Sequence, residues 1–297
     1  MSGGALLVVG EVVNDVVVRH GSAPLHGTDT PARITTLPGG AGANVACWAV
    51  RSGCRDVRLL ARAGAESADW HREALLRAGV RPVLAVDEEV PTGTVVALVD
   101  ASAERTFLTD SGAVLRLSPG DWDASLLDGA ALLHLSGYLL FAATSRATAA
   151  LALREARRRG VPVSVDPASA GFLAGLGAGA FLDLVQGVDL LLPNADEARE
   201  LTGLPEPADA AAKLSHHVGR VAVTLGDRGV LLAAGGTVTA RVPAATVRAP
   251  VDSTGAGDAF TGGFLAALAA GADDVTAAAA GCRAGAEAVT TVGGRPA

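Results

Sequence analysis

The segment Asp252-Ser253-Thr254-Gly255-Ala256-Gly257-Asp258-Ala259-Phe260 sets two glycines, two hydroxyls and two carboxylates directly before an apolar run. Lacking a Cβ, Gly255 and Gly257 allow positive φ and let a ligand approach the main chain closely. Phe260, Phe264, Leu265 and Leu268 recur at helical spacing, and Gly271 is placed to end that helix. The amides of Gly255, Ala256 and Gly257 thus open a helix, where unpaired N–H groups and the helix dipole favour an anion such as phosphate. Asp258 falls in the first turn, so its carboxylate lies beside the anion it would act on.

Three other stretches carry groups of the same kind. Gly39-Gly40-Ala41-Gly42-Ala43-Asn44 opens a second helix; its glycines let a substrate touch the backbone, and Asn44 offers the donor and acceptor that a polyol requires. Read as a dinucleotide fingerprint, it lacks the third glycine. Asp15 stands five residues past Gly10 in a valine-rich segment, where a carboxylate is costly unless it faces water or a ligand. In Pro193-Asn194-Ala195-Asp196-Glu197, the Asn and Glu are one helical turn apart and share a face.

With Asp-Ser-Thr-Gly-Ala-Gly-Asp-Ala-Phe near the end, Gly-Gly-Ala-Gly-Ala-Asn near the start and Asn-x-x-Glu between them, the chain resembles the PfkB (ribokinase-like) carbohydrate kinases over essentially its whole length. The resemblance implies ATP-dependent transfer of the γ-phosphate to a hydroxyl, with Asp258 as general base and Gly255, Ala256 and Gly257 as the anion hole. Such a reaction depends on positioning and charge neutralisation, because the transferred group passes through a loose state with charge spread over its oxygens. By the same resemblance Asp15, Gly39, Gly40, Asn44 and Asp258 bind the sugar, while Asn194, Thr224, Gly226, Gly229 and Gly257 meet ATP. Glu197 and Asn194 would order Mg2+ through its water shell. Asp252 and Thr254 would line a site for a monovalent cation such as K+.

The substrate is narrowed by departures from the pattern. Ala41 replaces a lysine common in ribokinases, Leu135-Ser136-Gly137-Tyr138 lacks their glutamate, and no arginine follows Val165-Asp166-Pro167-Ala168-Ser169 to meet an acidic sugar. Asp-Pro-x-Ser and Gly281-Cys282 are similar to pseudouridine kinases. A neutral sugar or sugar-like polyol is therefore expected, with a nucleoside kinase of pseudouridine or adenosine type as the alternative. A reading from another class is a non-catalytic regulator that binds sugar or nucleotide; retention of Asp258 and its whole loop argues against it.

Composition agrees. A net charge of −7 leaves no basic stripe for nucleic acid or an anionic membrane surface. Lys213 is the only lysine and lies away from every motif, so phosphate must be met by amides, arginine or metal. Cys47, Cys54 and Cys282 match no metal spacing and fit reduced thiols in a cytoplasmic protein. No apolar run has membrane-spanning length, and no Walker-type Gly-Lys-Ser/Thr loop occurs.

The elements that must position these residues follow from hydrophobic pattern. Ala5-Leu6-Leu7-Val8-Val9 reads as a buried strand, and from residue 130 onward strands alternate with helices. That order predicts a three-layer αβα sandwich on a mostly parallel sheet, with ligands at the carboxyl ends of the strands. Asp15, Asp166, Asn194 and Gly226 all follow strand ends. Residues 92–100 and 105–110 give a hairpin signal, and 20–36 reads as a loop leading into an edge strand. The expectation is a single domain over 1–297 with a small β-sheet from about 12–37 and 91–110; the resemblance to the PfkB kinases implies that this sheet is a lid over the sugar, and its exposed edge would support a homodimer.

Overall fold

The computed structural model describes residues 4–100, 105–247 and 249–296. In chain order it begins with β1 (Ala5–Val9), β2 (Val13–His20), β3 (Ala32–Gly39), α1 (Ala41–Arg51), β4 (Val57–Gly64), α2 (Ala68–Arg77), β5 (Arg81–Asp87), β6 (Thr92–Val99) and β7 (Arg105–Gly112). There follow β8 (Ala130–Ser136), α3 (Ala143–Arg159), β9 (Val163–Asp166), α4 (Ala170–Leu176), α5 (Ala178–Leu184), β10 (Leu190–Leu191), α6 (Ala195–Thr202) and α7 (Pro207–Leu214). The last elements are β11 (Arg220–Thr224), β12 (Val230–Ala234), β13 (Thr237–Val242), α8 (Ala256–Ala269) and α9 (Asp274–Ala288).

Nine strands form one sheet in the order β13-β12-β11-β10-β9-β8-β1-β4-β5. From β11 to β5 all neighbours are parallel, while β12 and β13 close one edge antiparallel. The unbroken apolar run of β1 is explained by burial on both faces. Leu7 and Val9 enter the core formed with α3 to α7, and Leu6 and Val8 the core formed with α1, α2, α8 and α9. All four side chains are fully buried, each stabilising the fold by roughly 1.5–3 kcal/mol. The expected three-layer αβα sandwich is present.

A separate four-stranded sheet, β3-β2-β6-β7, carries the predicted lid strands, so they are not an extension of the main sheet. It is mixed: β2 pairs antiparallel with β3 and parallel with β6. The loop expected over 20–36 is shorter, because β3 starts at Ala32 and pairs with β2 along its whole length. The predicted turn joining β6 to β7 falls at 101–104, outside the described residues.

Glycine sets the distance between the two helices that carry the end motifs. A Cβ on Gly262 of α8 would lie 2.7 Å from both the Trp48 Cβ and the Val45 carbonyl oxygen of α1. Likewise a Cβ on Gly281 of α9 would lie 2.8 Å from the Phe260 ring. Close helix packing thus accounts for Gly281, which the sequence had offered as a substrate-class marker. No described helix is long and apolar enough to cross a membrane.

Candidate active site

The residues singled out at the two ends of the sequence meet at the carboxyl ends of the strands. Asn44, in the first turn of α1, donates from Nδ2 to Oδ2 of Asp258 in the first turn of α8, at 2.8 Å. Both line a cavity of about 390 Å3 between the main sheet and the small four-stranded sheet, together with Glu11, Asp15, Asp166, Asn194, Glu197 and Thr224. Burial pushes the Asp258 carboxyl up to about 8, with Asp166, Glu11 and Asp15 adding repulsion and the Asn44 bond opposing.

The loop before α8 has the geometry of an anion cradle. Gly255 takes a left-handed conformation (φ 71°), and a Cβ there would strike Gly294 at 2.5 Å. Gly257 is exposed, lines the cavity and has open space where a side chain would be. The Ala256 amide is shared with the Ser253 carbonyl at 3.3 Å, whereas the amides of Gly255 and Gly257 make no such turn bond among the described residues. Asp252 closes the preceding turn: Oδ1 accepts from the Thr254 amide (2.9 Å) and hydroxyl (2.7 Å), and Oδ2 from the Gly293 amide (3.2 Å).

The glycine loop before α1 divides its work. Gly40 (φ 102°) lines the cavity, and a Cβ there would lie 2.5 Å from the Glu11 carbonyl oxygen. Gly39 stands opposite Val13, beside the Asp15 carboxylate, which fills the space a Cβ would need. Gly39 is not among the cavity-lining residues. Gly42 packs against Gly10, so its missing Cβ serves strand–helix contact.

Asn194 and Glu197 form a reciprocal helix cap. Asn194 Oδ1 accepts from the Glu197 amide and Glu197 Oε2 accepts from the Asn194 amide, both at 2.9 Å. The Asn194 carbonyl oxygen is thus partly occupied, and Glu197, buried to 5% exposure, supplies the charge. Burial raises the carboxyls of both Asp166, to about 6, and Glu197, to about 8; Glu11 adds repulsion at Asp166, and Asp166 adds it at Glu197. Thr224 lies beside Asn194 through a parallel bridge, its amide donating to the Pro193 carbonyl at 2.9 Å. The turn Gly226 to Gly229 lies outside the cavity. A Cβ on Gly229 would meet the Val242 carbonyl oxygen at 2.0 Å, so strand packing requires that glycine.

Three functional candidates lay beyond the sequence reading. Glu11 is buried to 3% exposure, accepts from the Gly42 amide at 3.2 Å and has an unpartnered Oε2. Its signal was available: like Asp15, it is a carboxylate set into an apolar run. Asp166 was grouped with Asp15 and Asn194 at the strand ends of one site but was given no role there. Its Oδ1 accepts from Ala168, which holds a left-handed φ of 79° beside the cavity. Arg295 carried no signal at all. Its Nη2 donates to the Gly39 carbonyl at 2.9 Å, its Nε and Nη1 are buried without partners, and its charge acts on Asp15. Burial pushes Asp15 up to about 6 against that charge.

The pfkB family carbohydrate kinase model matches residues 5–297. The chain belongs to that family. It is 33% identical over 280 residues to a fructokinase of Klebsiella pneumoniae, covering 90% of this chain and 85% of the relative. It is 30% identical over 287 residues to the bifunctional protein HldE of Pseudomonas putida (strain W619), covering 90% of this chain but only 56% of that longer protein. The ribokinase of Thermotoga maritima superposes with a TM-score of 0.82 at 28% identity, over 99% of this chain and 96% of its own. A ribokinase II structure from E. coli holding ATP and Mg2+ superposes with a TM-score of 0.84 at 24% identity, over 98% and 94%. The protein is a carbohydrate kinase of the ribokinase-like fold.

Proposed function

We propose that this kinase moves the γ-phosphate of ATP onto a hydroxyl of an uncharged sugar or sugar-like polyol, with Asp258 as the base. The single observation that carries the reading is the 2.8 Å contact between Asn44 and Asp258, which joins the polyol-type donor and acceptor to the acid beside the anion loop. In the reaction the acceptor oxygen bonds to the γ-phosphorus and the bond to the β–γ bridging oxygen breaks. ADP leaves with that electron pair, and the acceptor proton passes to Asp258. Asp15, Gly40 and Asn44 orient the acceptor, Gly39 supports them from behind, and Gly255, Ala256 and Gly257 hold the transferring group.

Mg2+ fits the donor set. Glu197 and Asp166 are hard oxygen ligands facing a cavity that, among the described residues, no lysine, arginine or histidine lines, and burial raises both carboxyls. Glu197, with Asn194 behind it, would hold the ion through water, and the ion would offset phosphate charge. Thr224, Gly226 and Gly229 serve the nucleotide, and the Asp252–Thr254 turn is the candidate monovalent-cation site. The small sheet acts as the lid that excludes water, and its exposed Ile34 and Leu108 suit a lid-to-lid homodimer, measurable by light scattering.

The test is ADP release with MgATP over neutral pentoses, hexoses and nucleosides, run beside Asp258→Asn. We expect turnover with at least one acceptor and a loss of roughly 10²- to 10⁴-fold in the variant. Ligand-induced stabilisation without ADP release from any acceptor would instead establish a binding protein.

A further inference from the structure

The cavity has a second end that phosphoryl transfer to a simple polyol leaves unused. The chain contains six phenylalanines and one tyrosine, and Phe107, Tyr138, Phe141 and Phe172 all line this one cavity. Tyr138, Phe141 and Phe172 form a closed triad. Phe141 and Phe172 have centroids 5.1 Å apart, and the Tyr138 ring stands edge-on at 5.5 Å from Phe172 and 6.4 Å from Phe141. A triad that existed only to pack the core would be buried, as Phe181 and Phe264 are; these three rings are each only partly covered. Phe107, on lid strand β7, is 52% exposed and faces the same cavity.

The aromatic end is chemically distinct from the acidic end. A second depression of about 600 Å3 shares Phe107, Phe141 and Phe172 with the main cavity and contains no carboxylate. Its rim carries the hydroxyls of Thr109, Ser111 and Ser169, short groups suited to the polar edge of a ring. Tyr138 joins the two ends: its ring belongs to the triad, while its phenol lies within the field of Glu11, Asp258, Asp166 and Glu197, which together with burial raises it. A free monosaccharide held by Asp15, Asn44 and Asp258 would leave the triad wet. Aromatic faces left open beside a polar site are what a planar, apolar group displaces water from.

We infer that the acceptor is an uncharged sugar bearing a planar aromatic ring, a nucleoside or aryl glycoside, whose ring stacks in the alcove formed by Phe107, Tyr138, Phe141 and Phe172. This rests on the kinase reading above for the sugar end and adds the ring end. The lid then has a direct role, because β7 delivers Phe107 onto the ring as the sheet closes. The transfer step is unchanged: the sugar oxygen gains the phosphoryl group, ADP leaves and the proton goes to Asp258.

The experiment compares acceptors that share one sugar: free ribose, methyl riboside, p-nitrophenyl riboside, and purine and pyrimidine nucleosides, each with MgATP. Ring-bearing acceptors are expected to exceed free ribose and the methyl riboside roughly 5- to 100-fold in kcat/KM, the range typical of stacking one base on aromatic side chains. In Phe172→Ala, and in Phe172→Leu should the first fail to fold, that ratio is expected to fall toward one, with the ratio taken within each variant. Equal turnover of ribose, methyl riboside and nucleosides would overturn the alcove and leave the kinase standing. No ADP release from any acceptor, with nucleoside binding by calorimetry that weakens in Phe172→Ala, would sink the kinase reading and keep the alcove. A rise in the KM for ATP as large as that for the acceptor would assign the rings to the nucleotide and refute the inference.

Discussion

Replacing Asp258 by Asn tests the chemistry and the energetics of the site together. Folding holds a proton on Asp258 up to about pH 8, whereas an ordinary aspartate releases it near 3.8. Between those values the unfolded chain binds fewer protons than the folded one, so wild-type stability falls as pH rises. At 1.36 kcal/mol per pKa unit the penalty is capped near ~6 kcal/mol. Asparagine removes the charge and can still accept the Asn44 bond. Asp258→Asn should therefore be more stable than wild type, with a gain that grows from about pH 5 to pH 8 and then levels off. For a chain of 297 residues, 1 kcal/mol corresponds to about 1.5 °C in Tm, so the alkaline gain should be at most about 9 °C. Calorimetric scans without ligand at pH 5 and pH 8.5, paired with steady-state ADP release, measure both halves. A Tm gain identical at the two pH values would refute the desolvated-carboxylate account. Turnover within tenfold of wild type would refute the base.

The remaining predictions concern neighbours of that carboxylate. Because the base must be ionised and its carboxyl is raised to about 8, kcat/KM should climb with pH and level off near that value; a flat profile from pH 6 to 9 contradicts it. Arg295→Gln removes the charge that holds Asp15 down, so the Asp15 carboxyl should rise above its present value of about 6. The acceptor KM should then increase more at pH 6 than at pH 8, with kcat little changed, a pH-dependent split that simple loosening would not give. Glu197→Gln should raise the Mg2+ concentration needed for half-maximal rate by about tenfold, since a neutral amide holds a hydrated cation poorly; an unchanged Mg2+ titration would remove Glu197 from that role. Gly262→Ala drives a methyl into Trp48 and the Val45 carbonyl, and should cost about 1–3 kcal/mol in urea unfolding while separating Asn44 from Asp258 and lowering kcat.

Much of this site was legible because its chemistry is local in sequence. A glycine loop before a helix, and a carboxylate in that helix's first turn, can be read from one short stretch. The parallel sheet was legible because strands buried on both faces must be apolar throughout. Strand β5 was not, since Arg81-Pro82 starts it and charged or half-covered positions break its pattern. Arg295 could not be read either: its role comes from a carbonyl 256 residues earlier in the chain, and no periodicity encodes that approach. The aromatic triad is similar, since Tyr138, Phe141 and Phe172 come from two short helical segments and look like ordinary core residues until their open faces are seen. Gly281 shows the opposite case: read with Cys282 as a marker of substrate class, it stands where a Cβ would meet the Phe260 ring.

The charge balance of the cavity connects these observations. Glu11, Asp15, Asp166, Glu197 and Asp258 converge on one space, and Arg295, behind Asp15, opposes the rise of that one carboxyl. An anionic acceptor would enter against that field; one ionised carboxylate about 5 Å from an anionic group opposes binding by ~3 kcal/mol at an effective dielectric of 20. The proposed preference for an uncharged acceptor over phosphorylated and acidic sugars would follow from that field alone. Burial first, and that field second, keep the proton on Asp258 in the empty protein, so the carboxylate is available as a base only when the pH or a bound cation ionises it. A site arranged in this way resists acting on water before its acceptor is seated. That is a property of the whole carboxylate cluster, which no single motif in the chain displays.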